Sequence, residues 1–269
     1  MGYFVEAKQD VKIFVEDVNP AGEHTLLFIH GWPADHRLFE YQFNVLPAMG
    51  FRCVAIDLRG FGHSDKPWEG YSYDCLADDV RSVVDALHLR NFTLVGHSVG
   101  GAISIRYMGR HGGHGVSKLI LLAAAAPSFV QRLDFPYGLS KDDVDRLIEA
   151  TENDRPKMLR DLNGMFFFRN IGEPFADWFF QINLLAAGYS TTAVLVSLRE
   201  ETLFGDVASI RVPTLILQGV HDEIVKPQLA AVLHKSIPGS KLVWLGDSGH
   251  GLFWEQKEKV NEEIIGFVC

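Results

Sequence analysis

The sequence predicts an α/β protein, with a largely parallel sheet covered by helices on both faces. Three observations predict it. Apolar stretches of strand length alternate with segments of helical periodicity along most of the chain. TLLFIH (25–30) reads as apolar throughout and KLILLAAAA (118–126) carries an unbroken apolar run from Leu119 to Ala126, as strands buried on both faces do. Between about 128 and 208 the rhythm changes to a helical, aromatic-rich pattern without a convincing strand.

In chain order, VKIFVED (11–17) alternates apolar and polar residues and is expected as a half-buried edge strand. TLLFIH follows as a buried strand, and Asp35 is placed to cap a helix running to Met49 and ended by Gly50. RCVAID (52–57) is the next strand. Ser72 caps a helix whose Leu76, Val80, Val83, Val84 and Leu87 share one face. FTLVGH (92–97) is a strand, and Ser98 to Gly112 a helix rich in small residues. After the strand at 118–126, Ser140 and Asp143 have capping-box spacing. PTLILQG (213–219) resumes the strands, followed by a helix at 227–237, the strand KLVWL (241–245) and a helix from 253 onward. Long strandless segments are uncommon inside compact α/β repeats, so 128–208 is expected as an insert over one end of the sheet. The core is then 1–127 with 209–269.

The 269 residues suffice for one large domain or a domain with an insert, and 47% hydrophobic with 22% charged residues is the balance of a soluble globular protein. A net charge of −9 disfavours nucleic acid or an anionic membrane surface as a partner. Cys53, Cys75 and Cys269 are an odd number without metal-ligand spacing, which suits a reducing compartment. No signal peptide is visible in MGYFVEAKQD, and the apolar run 119–126 is far short of a membrane span. A cytoplasmic protein is expected.

TLVGHSVGGA (93–102) joins a strand to a helix through G-x-S-x-G, with Ser98 at the apex. Gly96 and Gly100 let strand and helix pack closely around a strained serine. A hydroxyl becomes a nucleophile when a base takes its proton, and the base needs a carboxylate to hold its tautomer. Of eleven histidines, His250 stands out in the short loop GDSGHG after the last strand, and Asp222 in the loop GVHDEIV after PTLILQG. In a parallel sheet these loops lie at the same edge as Ser98. Glu223 and His221 are the nearest rivals. GDSG (246–249) resembles the serine motif of chymotrypsin-like proteases, but the βα rhythm argues against that all-β fold. Acyl transfer also requires N–H donors for an oxyanion. The backbone of Val99 and that of Trp32, in HGWP (30–33), are the expected donors.

HGWP, DLRGFGHSDKP (57–67), GHSVGGA (96–102), PTLILQGVHDEIV (213–225) and SGHG (248–251) together resemble the α/β-hydrolase superfamily. The resemblance implies an α/β-hydrolase fold, a mostly parallel eight-stranded sheet flanked by helices, with 128–208 as a helical lid. HGWP and the segments DRPKMLRDLNGMFFF (154–168) and WFFQINLLAAG (178–188) are similar to the cofactor-free haloperoxidases, also called perhydrolases, and to related carboxylesterases. That group commonly has an aromatic residue before the serine and methionine after it, where this chain has His97 and Val99. The resemblance implies short-ester cleavage by a Ser98–Asp222–His250 triad, peracid formation with peroxide, and neither cofactor nor metal. It usually makes the 57–67 loop a shaper of the turn, so Arg59 and Asp65 receive no catalytic role.

The aromatics of the insert are expected to build a lid core and wall an apolar pocket, with Phe166, Trp178 and Phe253 as candidate substrate contacts. No carboxylate or arginine in the insert marks a charged substrate, so a small uncharged ester or a lactone is expected. Rival readings are perhydrolysis, hydrolysis of an activated carbon–carbon bond, and a small-molecule receptor on the same scaffold.

Overall fold

The computed structural model describes residues 2–269. Strands β1 (Gly2–Glu6), β2 (Lys12–Val18) and β3 (His24–Ile29) lead to a short helix α1 (Glu40–Phe43) and strand β4 (Phe51–Ile56). Helix α2 (Tyr73–Ala86), strand β5 (Phe92–His97), helix α3 (Val99–Arg110) and strand β6 (Val116–Leu122) follow. Helices α4 (Lys141–Phe166), α5 (Glu173–Leu184), α6 (Gly188–Glu200) and α7 (Phe204–Ser209) separate β6 from β7 (Thr214–Gly219). Then come α8 (Pro227–Ser236), β8 (Lys241–Leu245), α9 (Leu252–Glu255) and α10 (Lys257–Val268).

The strands form one eight-stranded sheet in the order β1-β2-β4-β3-β5-β6-β7-β8. Strands β3 to β8 run parallel, while β1 and β2 form an antiparallel hairpin joined antiparallel to β4. Ile29 of β3 lies opposite Ile56 of β4 on one side and Gly96 of β5 on the other. The chain thus builds the sheet first to one side of β3 and then to the other. The carboxyl ends of β3 and β5 form a topological switch point, where open α/β sheets bind ligands. The loops leaving it carry HGWP and Ser98.

Every residue of β5 and β7 is buried, as continuous apolar runs in a parallel sheet require. Helix α2 buries Leu76, Val80, Val83 and Val84 completely, each worth roughly 1.5–3 kcal/mol of transfer free energy. Its cap is Ser72, whose Oγ accepts the Cys75 N–H. In α4, Ser140 and Asp143 exchange the two hydrogen bonds of a capping box. The same helix kinks at Asp154 (φ −152°, ψ 77°), two residues before Pro156, which lacks the donor a regular turn needs.

The structure differs from the sequence reading in several places. The edge strand is β1, so β2 lies inside the sheet. The helix expected at 35–49 is three short pieces, and Pro47, which has no N–H to give to the Phe43 carbonyl, separates the last from the second. Asp35 does cap the first of them, accepting the Arg37 N–H at 3.0 Å, and Gly50 (φ 91°) does end the last. The alanines at 123–126 lie beyond the strand, starting with Ala123 at φ 45°. The C-terminal helix breaks at Gln256 (φ −129°).

The segment between β6 and β7 leaves and rejoins the core at adjoining points, since the Leu203 N–H donates to the Pro127 carbonyl at 2.8 Å. Helix α7 packs on α3 of the core. Helix α6 is bound to the 57–71 loop region through Ser190 Oγ and the Ala187 N–H, both on the Gly60 carbonyl, and Ser197 Oγ on the Tyr71 carbonyl. Among the described residues no single helix is long and apolar enough to cross a membrane.

Candidate active site

Ser98 sits between β5 and α3 with φ 55° and ψ −120°, a conformation costly for any residue with a Cβ. The surrounding backbone holds it there. Its N–H donates to the Leu122 carbonyl at 2.9 Å, and its carbonyl accepts from Gly101 and Ala125 at 2.9 and 3.0 Å. The turn also needs small neighbours. A Cβ on Gly100 would fall 2.2 Å from the Ile29 carbonyl oxygen, and one on Gly31 would fall 2.5 Å from His97 Nδ1 and 2.9 Å from Ser98 Cβ. The HGWP loop therefore lies directly against the serine. Ser98 is only 6% exposed, at the positive end of α3.

The backbone N–H groups of Trp32 and Val99 make no backbone hydrogen bond among the described residues. For Val99 this follows from its place at the first turn of a helix, where amides have no intrahelical acceptor. The Trp32 side chain is fixed separately, its indole Nε1–H donating to the Thr191 carbonyl of α6 at 3.0 Å.

Asp222 and His250 come together at the ends of β7 and β8. The Asp222 carboxylate is buried, with Oδ1 accepting from the Ile224 and Val225 N–H groups at 2.9 and 2.8 Å. Its Oδ2 accepts from Gln218 Nε2 at 2.9 Å and from His250 Nδ1 at 2.8 Å. With Nδ1–H donating to Asp222, Nε2 of His250 carries the lone pair. That atom is buried without a hydrogen-bond partner. The Asp222–His250 link is thus closed and the Ser98–His250 link open in this conformation.

His97, next to Ser98, bridges the two halves of the site. Its ring centroid lies 4.6 Å from that of His250, and its Nε2 donates to the His250 carbonyl at 3.0 Å. Burial, with the neighbouring His250, pushes the His97 imidazole well below its ordinary range, so it is neutral. Burial also lowers His30, whose Nε2 accepts the Leu58 N–H at 3.0 Å and braces the start of the HGWP loop.

A cavity of about 660 Å³ opens over Ser98 and Trp32. Its walls include Phe129, Leu147, Met158, Leu162, Met165 and Leu198, mostly from α4 and α6. The expected contacts Phe166, Trp178 and Phe253 do not line it. Phe166 instead packs its ring edge-on to His250 at 4.7 Å, Phe253 packs against His97 at 5.2 Å, and Trp178 packs against Phe175 at 5.0 Å. They form an aromatic layer behind the histidine and in the helical cover. Charged residues of the insert do reach the cavity, but they are largely neutralised: Asp143 pairs with Arg146, and Asp161 with Lys157. Of the rivals, Glu223 lies on the cavity wall, and His221 stacks on Phe168 at 3.7 Å.

The sequence reading missed three supporting residues. Gln218 holds Asp222, Glu255 accepts from the Ser248 hydroxyl and the Gly249 N–H, and His97 holds the His250 backbone. A glutamine in the otherwise apolar strand TLILQG was the available signal for the first. Arg59 is bidentate to Asp79, both side chains being fully buried, and Asp65 accepts the Lys12 N–H at 2.8 Å. Both act on the loop rather than at the cavity.

Among the described residues, His36, Asp57 and His63 lie close enough to hold a metal ion. The donors already present account for the cluster without one. Asp57 accepts the His36 and His63 N–H groups, both at 2.7 Å, and His36 Nδ1 at 2.8 Å. Burial works to raise the Asp57 carboxyl, and the hydrogen bond and charge of His36, with His30 and the His63 N–H, overcome it and leave it at about 2. None of the three lines the cavity.

Residues 24–257 match the family described as the alpha/beta hydrolase fold. The chain is 48% identical to the AB hydrolase superfamily protein YisY of Bacillus subtilis, with 99% of each chain covered. It is 30% identical to the non-heme chloroperoxidase CPO-A1 of Kitasatospora aureofaciens, over 97% of each. The solved esterase from Exiguobacterium antarcticum superposes with a TM-score of 0.97 at 42% identity, over 100% of this chain and 99% of that one. On its sheet topology, its strained serine turn and these matches, the chain belongs to the α/β-hydrolase superfamily, with esterases and non-heme haloperoxidases among its relatives.

Proposed function

We propose that this protein is a serine hydrolase of uncharged carboxylic esters that works through an acyl-enzyme. The observation that carries the reading is the buried Asp222–His250 hydrogen bond of 2.8 Å, which leaves Nε2 unpartnered beside the strained turn of Ser98. Ser98 Oγ attacks the ester carbonyl as His250 Nε2 takes its proton. Catalysis requires that contact to close, as catalytic hydrogen bonds left open in a free site do when substrate fills it. The oxyanion is held by the Trp32 and Val99 N–H groups, each donor being worth about 3 kcal/mol in the barrier. The tetrahedral intermediate collapses with cleavage of the C–O bond, and the proton on His250 passes to the departing alkoxide. Water then gives its proton to His250 and attacks the acyl carbonyl, releasing the acid and restoring Ser98.

The cover formed by 128–208 acts as a lid whose apolar wall selects the substrate. A cavity of about 660 Å³ is within the range that takes drug-sized ligands, so esters larger than acetates fit. The unpaired thiols of Cys53, Cys75 and Cys269 support a reducing, cytoplasmic setting. The test is turnover of p-nitrophenyl esters of increasing acyl length, with Ser98→Ala expected to lose about 10⁶-fold in kcat. Hydrolysis retained by that variant rejects the assignment.

The similarity to a non-heme chloroperoxidase favours a second reading, that hydrogen peroxide replaces water in the deacylation step. The acyl-enzyme would then release a peracid. Peracid formation from ester plus peroxide, lost in Ser98→Ala, is its signature; its absence leaves hydrolysis alone.

A further inference from the structure

Glu255, on α9, lies behind the His250 loop and is buried at 4% exposure. Its two carboxylate oxygens face different parts of the molecule. Oε2 accepts the Gly249 N–H at 2.7 Å and the Ser248 hydroxyl at 3.1 Å, both from the residues immediately before His250. Oε1 accepts the Arg169 N–H at 2.7 Å, just beyond the end of α4. These donors are neutral dipoles, so the carboxylate is satisfied by geometry that only this arrangement of loop and helix supplies. A second tie runs parallel to it, from the Gly251 N–H to the Phe166 carbonyl at 3.0 Å. Helix α4 supplies Met158, Leu162 and Met165 to the cavity wall.

We propose that Glu255 is a positioning residue that couples the substrate-lining helix α4 to the backbone of the His250 loop. Asp222 sets the rotation and tautomer of the imidazole, while Glu255 sets where the loop carrying it stands. A substrate that packs against α4 therefore bears, through Arg169 and Glu255, on the position of Nε2 relative to Ser98. This role rests on the proposed triad.

Glu255→Gln separates the two ties. An amide offers one acceptor oxygen. If that oxygen stays on Gly249 and Ser248, the NH₂ group faces the Arg169 N–H, donor against donor. If the amide turns over, the Gly249 N–H loses its acceptor and the Ser248 hydroxyl can only accept from the NH₂ group. The expected result is a kcat about 10-fold lower per active site, with KM within two-fold, since displacement of a reacting group lowers the rate without removing apolar contacts. Sites are counted with a fluorophosphonate serine label, which corrects for any misfolded fraction. Ser248→Ala, a smaller change, is expected to lower kcat about three-fold, and Glu255→Asp to recover part of the Glu255→Gln loss. In the wild type, kcat should rise with acyl length as the chain reaches α4, and this dependence should flatten in Glu255→Gln. A per-site kcat within two-fold of wild type in Glu255→Gln, or an unchanged acyl-length dependence, overturns the coupling. Ser98→Ala, run alongside, distinguishes that outcome from failure of the triad: it must be inactive and unlabelled for the triad reading to stand, whatever Glu255→Gln does.

Discussion

Replacing Asp222 by asparagine changes one atom and should remove nearly all activity while leaving the fold intact. The asparagine Oδ1 can keep the bonds from the Ile224 and Val225 N–H groups, which places the new NH₂ where Oδ2 accepts from Gln218 Nε2 and His250 Nδ1. The NH₂ cannot accept the Nδ1 proton, so the imidazole moves to the other tautomer, with Nδ1 accepting and Nε2 carrying hydrogen. Nε2 then has no lone pair for the Ser98 proton. A change of tautomer of this kind costs about 10⁴-fold in kcat, or about 5 kcal/mol of barrier. The clash with Gln218 has a remedy. Its Oε1 is a buried acceptor without a partner, and turning the amide over presents Oε1 to the new NH₂, at the loss of the longer bonds to the Gly219 and Val225 carbonyls at 3.3 and 3.2 Å. The stability cost is then about 1–2 kcal/mol, readable by thermal unfolding. The assay is p-nitrophenyl ester turnover at saturating substrate, normalised to folded protein. Activity within ten-fold of wild type in a folded Asp222→Asn protein would refute the assignment of Asp222 as the tautomer-fixing carboxylate.

Asp79→Asn strips the carboxylate from a fully buried Arg59 and is expected to destabilise by about 3–5 kcal/mol in chemical denaturation; a loss under 1 kcal/mol contradicts the pairing. Gly31→Ala drives a methyl group against His97 Nδ1 and Ser98 Cβ and should lower kcat about 100-fold at unchanged fold, as far-UV circular dichroism would verify. In His36, the hydrogen bond and charge of Asp57 outweigh the burial that opposes protonation, so its pKa is raised above 6.5, while Asp57 is lowered from 3.8 to about 2. The stability this pair contributes is therefore fully present between 3.8 and 6.5, fades as pH rises through the raised His36 value, and fades as pH falls toward 2. The difference in melting temperature between wild type and His36→Asn should follow that window, and a difference independent of pH rules the pair out as its source.

The parts of the molecule legible in the sequence are those set by local pattern. Ser98, Asp222 and His250 each follow an apolar strand, and parallel strands bring such loops to one edge. The capping signals at Asp35, Ser72 and Ser140 rest on residues two or three apart, and each is made. What stayed hidden depends on pairings and convergences that leave no periodic or motif signal in the local sequence. Strand β1 buries only Val5, so it carries almost no periodic signal and owes its place to pairing with β2. Phe166 and Phe253, expected as substrate contacts, pack instead against His250 and His97, because composition cannot tell a cavity wall from the layer behind it. Glu255 lies in a four-residue helix and looks like surface charge until Ser248, Gly249 and Arg169 converge on it.

The indole of Trp32 has a mechanical consequence. Trp32 lines the cavity beside Ser98 and is bolted by its side chain to Thr191, while α6 is in turn fastened to the loop around Gly60 and Tyr71. Swinging α6 away as a gate would drag the HGWP loop out of place, so this flank behaves as a fixed jamb. Access to the cavity then falls to the opposite side, where α4 bends at Asp154. If the proposed ester hydrolysis holds, a molecule built this way works on dissolved substrate without first being pried open, and its rate should saturate smoothly below the solubility limit of the ester, with no jump when droplets form.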